Sequence, residues 1–303
     1  MGPQLLHYRT WRGSFHSPVW SPWPIARVAL GLMFRRKAFW VLYLFGLLVF
    51  LMFFFGQYLL AWAELQVGQD PVSGVSRMWL RLSGQLRDSL KLNGSAETYR
   101  MFFGYQGTMV IMVLALAGSV VVGDDFQHGS LPFYLSKPMR PWHYVLGKCL
   151  AVGVFVNLMT TVPALVLFVQ YRSLYDWGDL REEARLVVGI LGYGLVLTVF
   201  LSLLLVATAS ALRRTVPLVM IWTTLFFFLR QLSFTLVDGL NGSVHWRLLD
   251  LWNDAGVLGS CCLGLTPSPR HPEWYEAALV LGGLALLCAT YLNRRIRAVE
   301  IVH

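Results

Sequence analysis

Long apolar runs separated by short charged clusters dominate the chain, and they neither alternate nor keep a heptad. The stretches between charges are Ala38–Ala63, Met101–Gly123, Cys149–Tyr171, Leu186–Leu212, Thr215–Val237 (broken only by Arg230) and the shorter Ala277–Asn293. A helix needs about 20 predominantly apolar residues to cross a hydrocarbon core, whereas strands of a membrane barrel alternate over about 10 residues. Runs such as Leu47–Phe55 show no such alternation. The pattern therefore predicts an all-α integral membrane protein with six transmembrane helices, over about 38–63, 101–123, 149–171, 186–212, 215–237 and 277–293.

Polar and apolar positions outside the runs predict three further helices. Pro24–Lys37 reads as an N-terminal interfacial amphipathic helix. Ile25, Val28, Leu32 and Phe34 are expected to face lipid, Arg27, Arg35 and Arg36 to meet headgroups, and Trp20 and Trp23 to serve as interfacial anchors. This divides the chain into a segment 1–37 and a six-helix membrane domain 38–303. Met78, Leu82, Leu86 and Leu90 predict an amphipathic helix that stops at Asn93-Gly94. Trp246, Leu249, Leu251, Trp252 and Val257 predict a helix lying on the membrane, followed by a rigid approach through Pro267, Pro269 and Pro272.

Composition supports the membrane reading. Hydrophobic residues make up 56% of the 303 residues and charged ones only 14%, with a mean hydropathy of +0.56, against about 25% charged in soluble domains. The formal charge of +9 does not indicate nucleic acid, because the basic residues form short clusters between apolar runs and no basic stripe. Their distribution sets an orientation instead. With the N-terminus cytoplasmic, the inner segments hold Arg9, Arg12, Arg27, Arg35, Arg36, Lys37, Lys137, Arg140, Lys148, Arg213, Arg214, Arg294, Arg295 and Arg297 against only Asp124, Asp125 and Glu300. The outer segments then carry more carboxylates than basic groups, so both termini are expected inside. Four scattered cysteines give neither a disulfide framework nor a zinc spacing, and no metal site is expected. No cleavable signal is visible, because the first apolar run is too long for one. Asn93-Gly-Ser95 and Asn241-Gly-Ser243 match the short glycosylation pattern, and both fall outside.

The search for catalytic motifs excludes several classes. The chain has no His-Glu-x-x-His, no Gly-x-Ser-x-Gly and no Gly-rich dinucleotide turn. Gly147-Lys148 is its only Gly-Lys pair, but Trp142 stands where a phosphate loop needs its first Gly and Cys149 where it needs Ser or Thr. The chain is thus expected not to be an enzyme and to bind no cofactor of its own. The span interiors are nearly free of ionisable groups, which disfavours an ion-coupled carrier. Arg230 is the exception, read as a side chain snorkelling to the outer interface.

The most informative stretch joins the second and third spans. Asp124-Asp125 is followed by Gly129-Ser130-Leu131, Phe133-Tyr134-Leu135, Ser136-Lys137-Pro138, Arg140 and finally Gly147-Lys148. Physically this is an apolar and aromatic patch rimmed by charge, suited either to docking or to lying on headgroups. The stretch resembles the segment after the second span in ABC-2-type transporter permeases, where an acidic residue, Gly-Thr/Ser-Leu, Leu-Ser-Lys/Arg-Pro and Gly-Lys recur. That family more often carries Glu at the acidic position.

The resemblance implies a membrane-spanning half-transporter. Two permease subunits, identical or related, pair in the bilayer, and two copies of a separate ABC ATPase subunit dock on their cytoplasmic faces and use ATP and Mg. Asp124, Asp125, Gly129, Ser130, Leu131, Phe133, Tyr134, Leu135, Lys137 and Arg140 would then form the ATPase-coupling segment. Substrate would pass between the subunits along the second and fifth spans, past Tyr105, Gln106, Thr108, Trp222, Thr223, Thr224 and Phe227. The run Phe226–Phe228 suits an apolar constriction and lipid-facing bulk equally. The expected function is the permease of an ATP-driven exporter in a prokaryotic plasma membrane. A membrane scaffold recruiting an ATPase and an ion-coupled carrier are the alternatives.

Overall fold

The computed structural model describes residues 20–69, 84–85, 91–123, 125, 141–175, 179–212 and 214–296, and contains no strand among them. Six of its helices are long and apolar enough to cross a membrane: Phe39–Trp62, Ala96–Gly123, Pro141–Leu174, Leu180–Leu212, Thr215–Gly239 and Trp274–Arg295. The count agrees with the sequence reading, but several ends move outward. The second span begins at Ala96 and takes Glu97 and Arg100 into its first turns. The third begins at Pro141, a residue suited to a first helical turn because its missing N–H would have no partner there. Lys148, read as the last residue of the inner loop, therefore lies inside a helix. The amphipathic helix expected over 78–90 lies, apart from Gly84 and Gln85, outside the described residues.

The second, third and fourth spans form the interior of the bundle, and the first, fifth and sixth lie around them. In its most apolar stretch the second span is 73% buried by protein, whereas the first and fifth are each 17% buried. Close approach relies on small residues. A Cβ on Gly194 of the fourth span would lie 2.0 Å from the Thr161 hydroxyl of the third. Polar links reinforce that seam. Asn157 donates to Thr198 Oγ1 at 2.7 Å and accepts from the Thr161 hydroxyl at 2.7 Å. The third span breaks at Thr160, three residues before Pro163, which offers no N–H to the carbonyl of Met159.

The front helix runs over Pro22–Phe34. Ile25, expected to face lipid, is instead buried with Ala26, Ala29 and Met33. The reason is Gly147 of the third span, where an added Cβ would lie 2.8 Å from Ile25 Cβ, so the front helix seats on that glycine. Val28 and Leu32 are exposed, as are Arg27, Arg35 and Arg36.

The helix expected to lie on the membrane is Leu251–Cys262, preceded by a short 3-10 segment, Val244–Leu249. Asp250 caps it, accepting from the backbone N–H groups of Trp252 and Asn253 at 3.0 and 3.1 Å. Gly264 ends it at φ +76°, and the N–H of Leu265 reaches back to the carbonyl of Ser260 at 2.9 Å. It does not present one wet face. Leu251, Trp252, Asp254, Ala255, Val257, Gly259 and Ser260 are all buried, because the helix packs into the bundle against the second, fourth and sixth spans. The Trp252 ring covers Gly107, where an added Cβ would lie 2.0 Å from it, and Gly259 sits as closely on the Tyr193 ring.

Candidate functional site

Two polar sites lie within this apolar bundle. One, at the end expected from the basic residues to be cytoplasmic and called inner, gathers the end of the second span and the start of the third. The last carbonyls of a helix have no partner further along their own chain, and in a low-dielectric setting each needs a donor. Here the second span ends in a wide, π-type turn, Ser119–Gly123. Lys148, only 3% exposed, donates to the carbonyl of Val121 and pairs with Asp125 at 2.6 Å. The hydroxyl of Tyr144, one helical turn before Lys148, donates to the same carboxylate at 2.7 Å. Its ring also lies under the ammonium, 5.5 Å from centroid to Nζ. An ammonium this deep is tolerated only when paired and hydrogen-bonded, and both conditions hold.

Of the residues read as the coupling segment, Asp125 is the one described. Asp124, Gly129, Ser130, Leu131, Phe133, Tyr134, Leu135, Lys137 and Arg140 lie outside the described residues. Lys148 was legible in the sequence only as part of a Gly-Lys pair. Its burial follows from Asp125 standing across from it, a contact between elements that no local pattern reports.

The residues read as a translocation path divide into two sets. Tyr105, Thr223, Thr224 and Phe227 are exposed on the second and fifth spans, and Thr108 is half-buried with its hydroxyl on the carbonyl of Gly104. Thr224 turns its hydroxyl back to the carbonyl of Met220 at 2.9 Å. Gln106 and Trp222 point into the bundle. Gln106 is 2% exposed with its Oε1 unbonded. Trp222 is fully buried, donates from its indole N–H to Thr208 Oγ1 at 3.1 Å and packs on Phe226 at 5.2 Å. The phenylalanine run splits likewise, with Phe226 buried and Phe227 and Phe228 exposed.

The second polar site lies at the opposite end, called outer. Asp238, near the end of the fifth span, holds Arg247 in an ion pair and Arg270 at 3.7 Å. Arg230, further back on the fifth span, is exposed, as a snorkelling side chain would be. Asn253 Oδ1 meets His271 Nδ1 at 2.7 Å, and burial together with nearby Arg247 and Arg100 lowers the His271 pKa. Beneath them is Asp254, fully buried, with neither carboxylate oxygen hydrogen-bonded among the described residues. Burial pushes its pKa up to about 7, and the Asp250 carboxylate one turn earlier adds to the shift. This group also escaped the sequence reading, because a carboxylate in an outer segment is ordinarily solvated. Among the described residues, no group of three or more His, Cys, Asp or Glu side chains could hold a metal ion.

Set beside known families, residues 94–245 match the one described as ABC-2 family transporter protein. The matched stretch runs from the residue after Asn93 through the fifth span and takes in the whole inner site. No curated protein matches the chain.

Proposed function

Because the chain belongs to the ABC-2 family of transporter proteins, and is thereby a multi-pass membrane permease component of an ABC transporter, we propose that it is the permease of an ATP-driven exporter. The observation that carries this reading is the family match itself, which spans the second to fifth spans together with the segment 124–148. A separate ABC ATPase subunit, in two copies, docks on the segment from Asp124 to Arg140 and uses ATP and Mg. Two permease subunits pair in a prokaryotic plasma membrane with their termini inside. Apolar side chains of the docking segment supply affinity, and Asp124, Lys137 and Arg140 supply orientation. When ATP closes the ATPase pair, the docked segment moves with it and the second and fifth spans switch access, past Tyr105, Thr108, Thr223, Thr224 and Phe227.

The test is a mild-detergent pull-down of the tagged chain from its host. The expected result is a stoichiometric soluble ATPase that is lost when Phe133 is truncated and Lys137 and Arg140 are reversed. The purified chain alone should hydrolyse no ATP. A chain that co-purifies with no ATPase, under conditions that preserve other complexes, would overturn the reading. One observation favours a second reading. The buried Asp254 supplies a carboxylate of the kind ion-coupled carriers use, and gradient-driven uptake without any ATPase would establish that alternative.

A further inference from the structure

The inner site holds an ammonium in contacts that belong to two different spans. Asp125 and Val121 stand at the end of the second span, and Lys148 and Tyr144 stand near the start of the third. In sequence, the chain that leaves the second span after Asp125 re-enters the membrane at Pro141. The contacts therefore tie the point of departure to the point of return. We infer that Lys148 is a positioning residue, a clamp that holds the inner ends of the second and third spans together so that displacement of the chain between them reaches both spans as one body. The inference rests on the reading of that chain as the ATPase-docking segment.

The chemistry favours a clamp over a passive charge pair. Lys148 serves two acceptors of different kinds, the carboxylate of Asp125 and the carbonyl of Val121. A carboxylate fixes charge, whereas a backbone carbonyl fixes position, because it cannot follow the ammonium without moving its helix. Tyr144 holds the carboxylate from a second direction, so Asp125 cannot swing away with the lysine. The residue before it, Gly147, is closed off by the front helix through Ile25 and the carbonyl of Pro22, so the third span is seated closely on that helix at this level. The lysine thus joins two spans, and breaking either of its polar contacts exposes a buried polar group to apolar surroundings.

The test uses the full chain in nanodiscs, with spin labels at Leu116→Cys and Trp142→Cys, both exposed positions on the second and third spans. Cys261 and Cys262, also exposed, are changed to serine to keep the labelling specific. With the native pair present, the distance distribution should show one peak, unchanged when the ATPase and ATP are added. Lys148→Met alone leaves a buried carboxylate and is expected not to accumulate as folded protein. The paired change D125L with K148M removes both charges and keeps the experiment decisive, because a buried pair replaced by apolar groups generally folds. In that variant the single peak should be lost and ATP should change the distance. The exchanged pair D125K with K148D should not restore it, because a carboxylate at 148 would face the Val121 carbonyl. A paired apolar variant that keeps the single peak with and without ATP would overturn the clamp. So would full recovery by the exchange, which would reduce it to charge attraction. Failure of the unlabelled chain to capture any ATPase would instead overturn the docking reading, while the distance measurement on the chain alone still decides the clamp.

Discussion

Asp125 and Asp254 are both carboxylates withdrawn from water, one at the inner end of the bundle and one at the outer, and they are treated in opposite ways. Asp125 is met by an ammonium and a phenol, and the contacts fix its place. Asp254 has no well-formed hydrogen bond among the described residues, only a weak influence from Asn253, and has a second carboxylate, Asp250, one turn away. A partnered buried charge sets geometry. An unpartnered one leaves its proton as the only means of relief, which makes it responsive to pH. The same residue type therefore gives a mechanical joint at one end and a titrating group at the other, and the difference lies entirely in what stands opposite.

The contrast is broken most sharply by Lys148→Met, which should strip the inner carboxylate of the Lys148 ammonium while leaving it the Tyr144 hydroxyl. Loss of one partner of a buried pair costs about 3–5 kcal/mol, so thermal melts of the purified variant should show a collapse of stability, or no folded protein. The outer site should show the reverse sign of dependence on its own charge. Folded Asp254 titrates at about 7 against 3.8 for an unperturbed carboxyl. Between these values the folded chain holds a proton that the unfolded chain has released, so stability falls as pH rises from about 4 to about 7 and stays low above. The loss should reach about 4 kcal/mol at most. Asp254→Asn should flatten this dependence in melts taken across the window and leave the variant more stable than the parent at pH 8.

Gly107→Ala sharpens the comparison from outside the carboxylate. Its methyl would meet the Trp252 ring, so the outer helix must shift, at a cost of about 1–3 kcal/mol. Because the shift admits water to Asp254, the pH midpoint of the melts should move down while the inner site is untouched. The smallest effect belongs to Trp222→Phe, remote from both carboxylates. It removes one hydrogen bond, to Thr208, and should cost about 1 kcal/mol without altering the pH dependence.

Charge gaps located all six spans, because an unpaired charge is expelled from hydrocarbon and so marks a boundary. The rule failed where the fold supplies a partner. Lys148 appeared to end a loop because its counter-charge, Asp125, is distant in sequence and adjacent only after the spans pack. Similarly, Glu183 reads as an outer residue, yet it is buried within the fourth span and paired with Arg172 of the third at 3.3 Å. The outer helix was legible as a helix, with Asp250 as its cap, but not in its depth. Its amphipathic pattern matches a membrane surface equally well, and what draws it inward is the absence of a side chain at Gly107, in another span. Of the candidate path, the threonines and Tyr105 could be assigned to spans from the sequence. Which of them turn outward depends on helix rotation, set by contacts such as the one between Trp222 and Thr208.

The fifth span contains two wide turns, Thr224–Phe228 and Thr235–Gly239. Its buried positions are Leu218, Trp222, Phe226, Ser233 and Val237, and they recur in steps of four or seven. On a regular helix of about 3.6 residues per turn such a stripe would creep around the axis with every step. Wider turns slow the rotation and bring the stripe back into phase, so the span keeps one straight buried edge along its length. A one-residue deletion between the two turns, in Leu229–Phe234, would therefore act as a twist rather than a gap. The rest of the span would swing through roughly 100°, turning Asp238 away from Arg247, which precedes the packed outer helix.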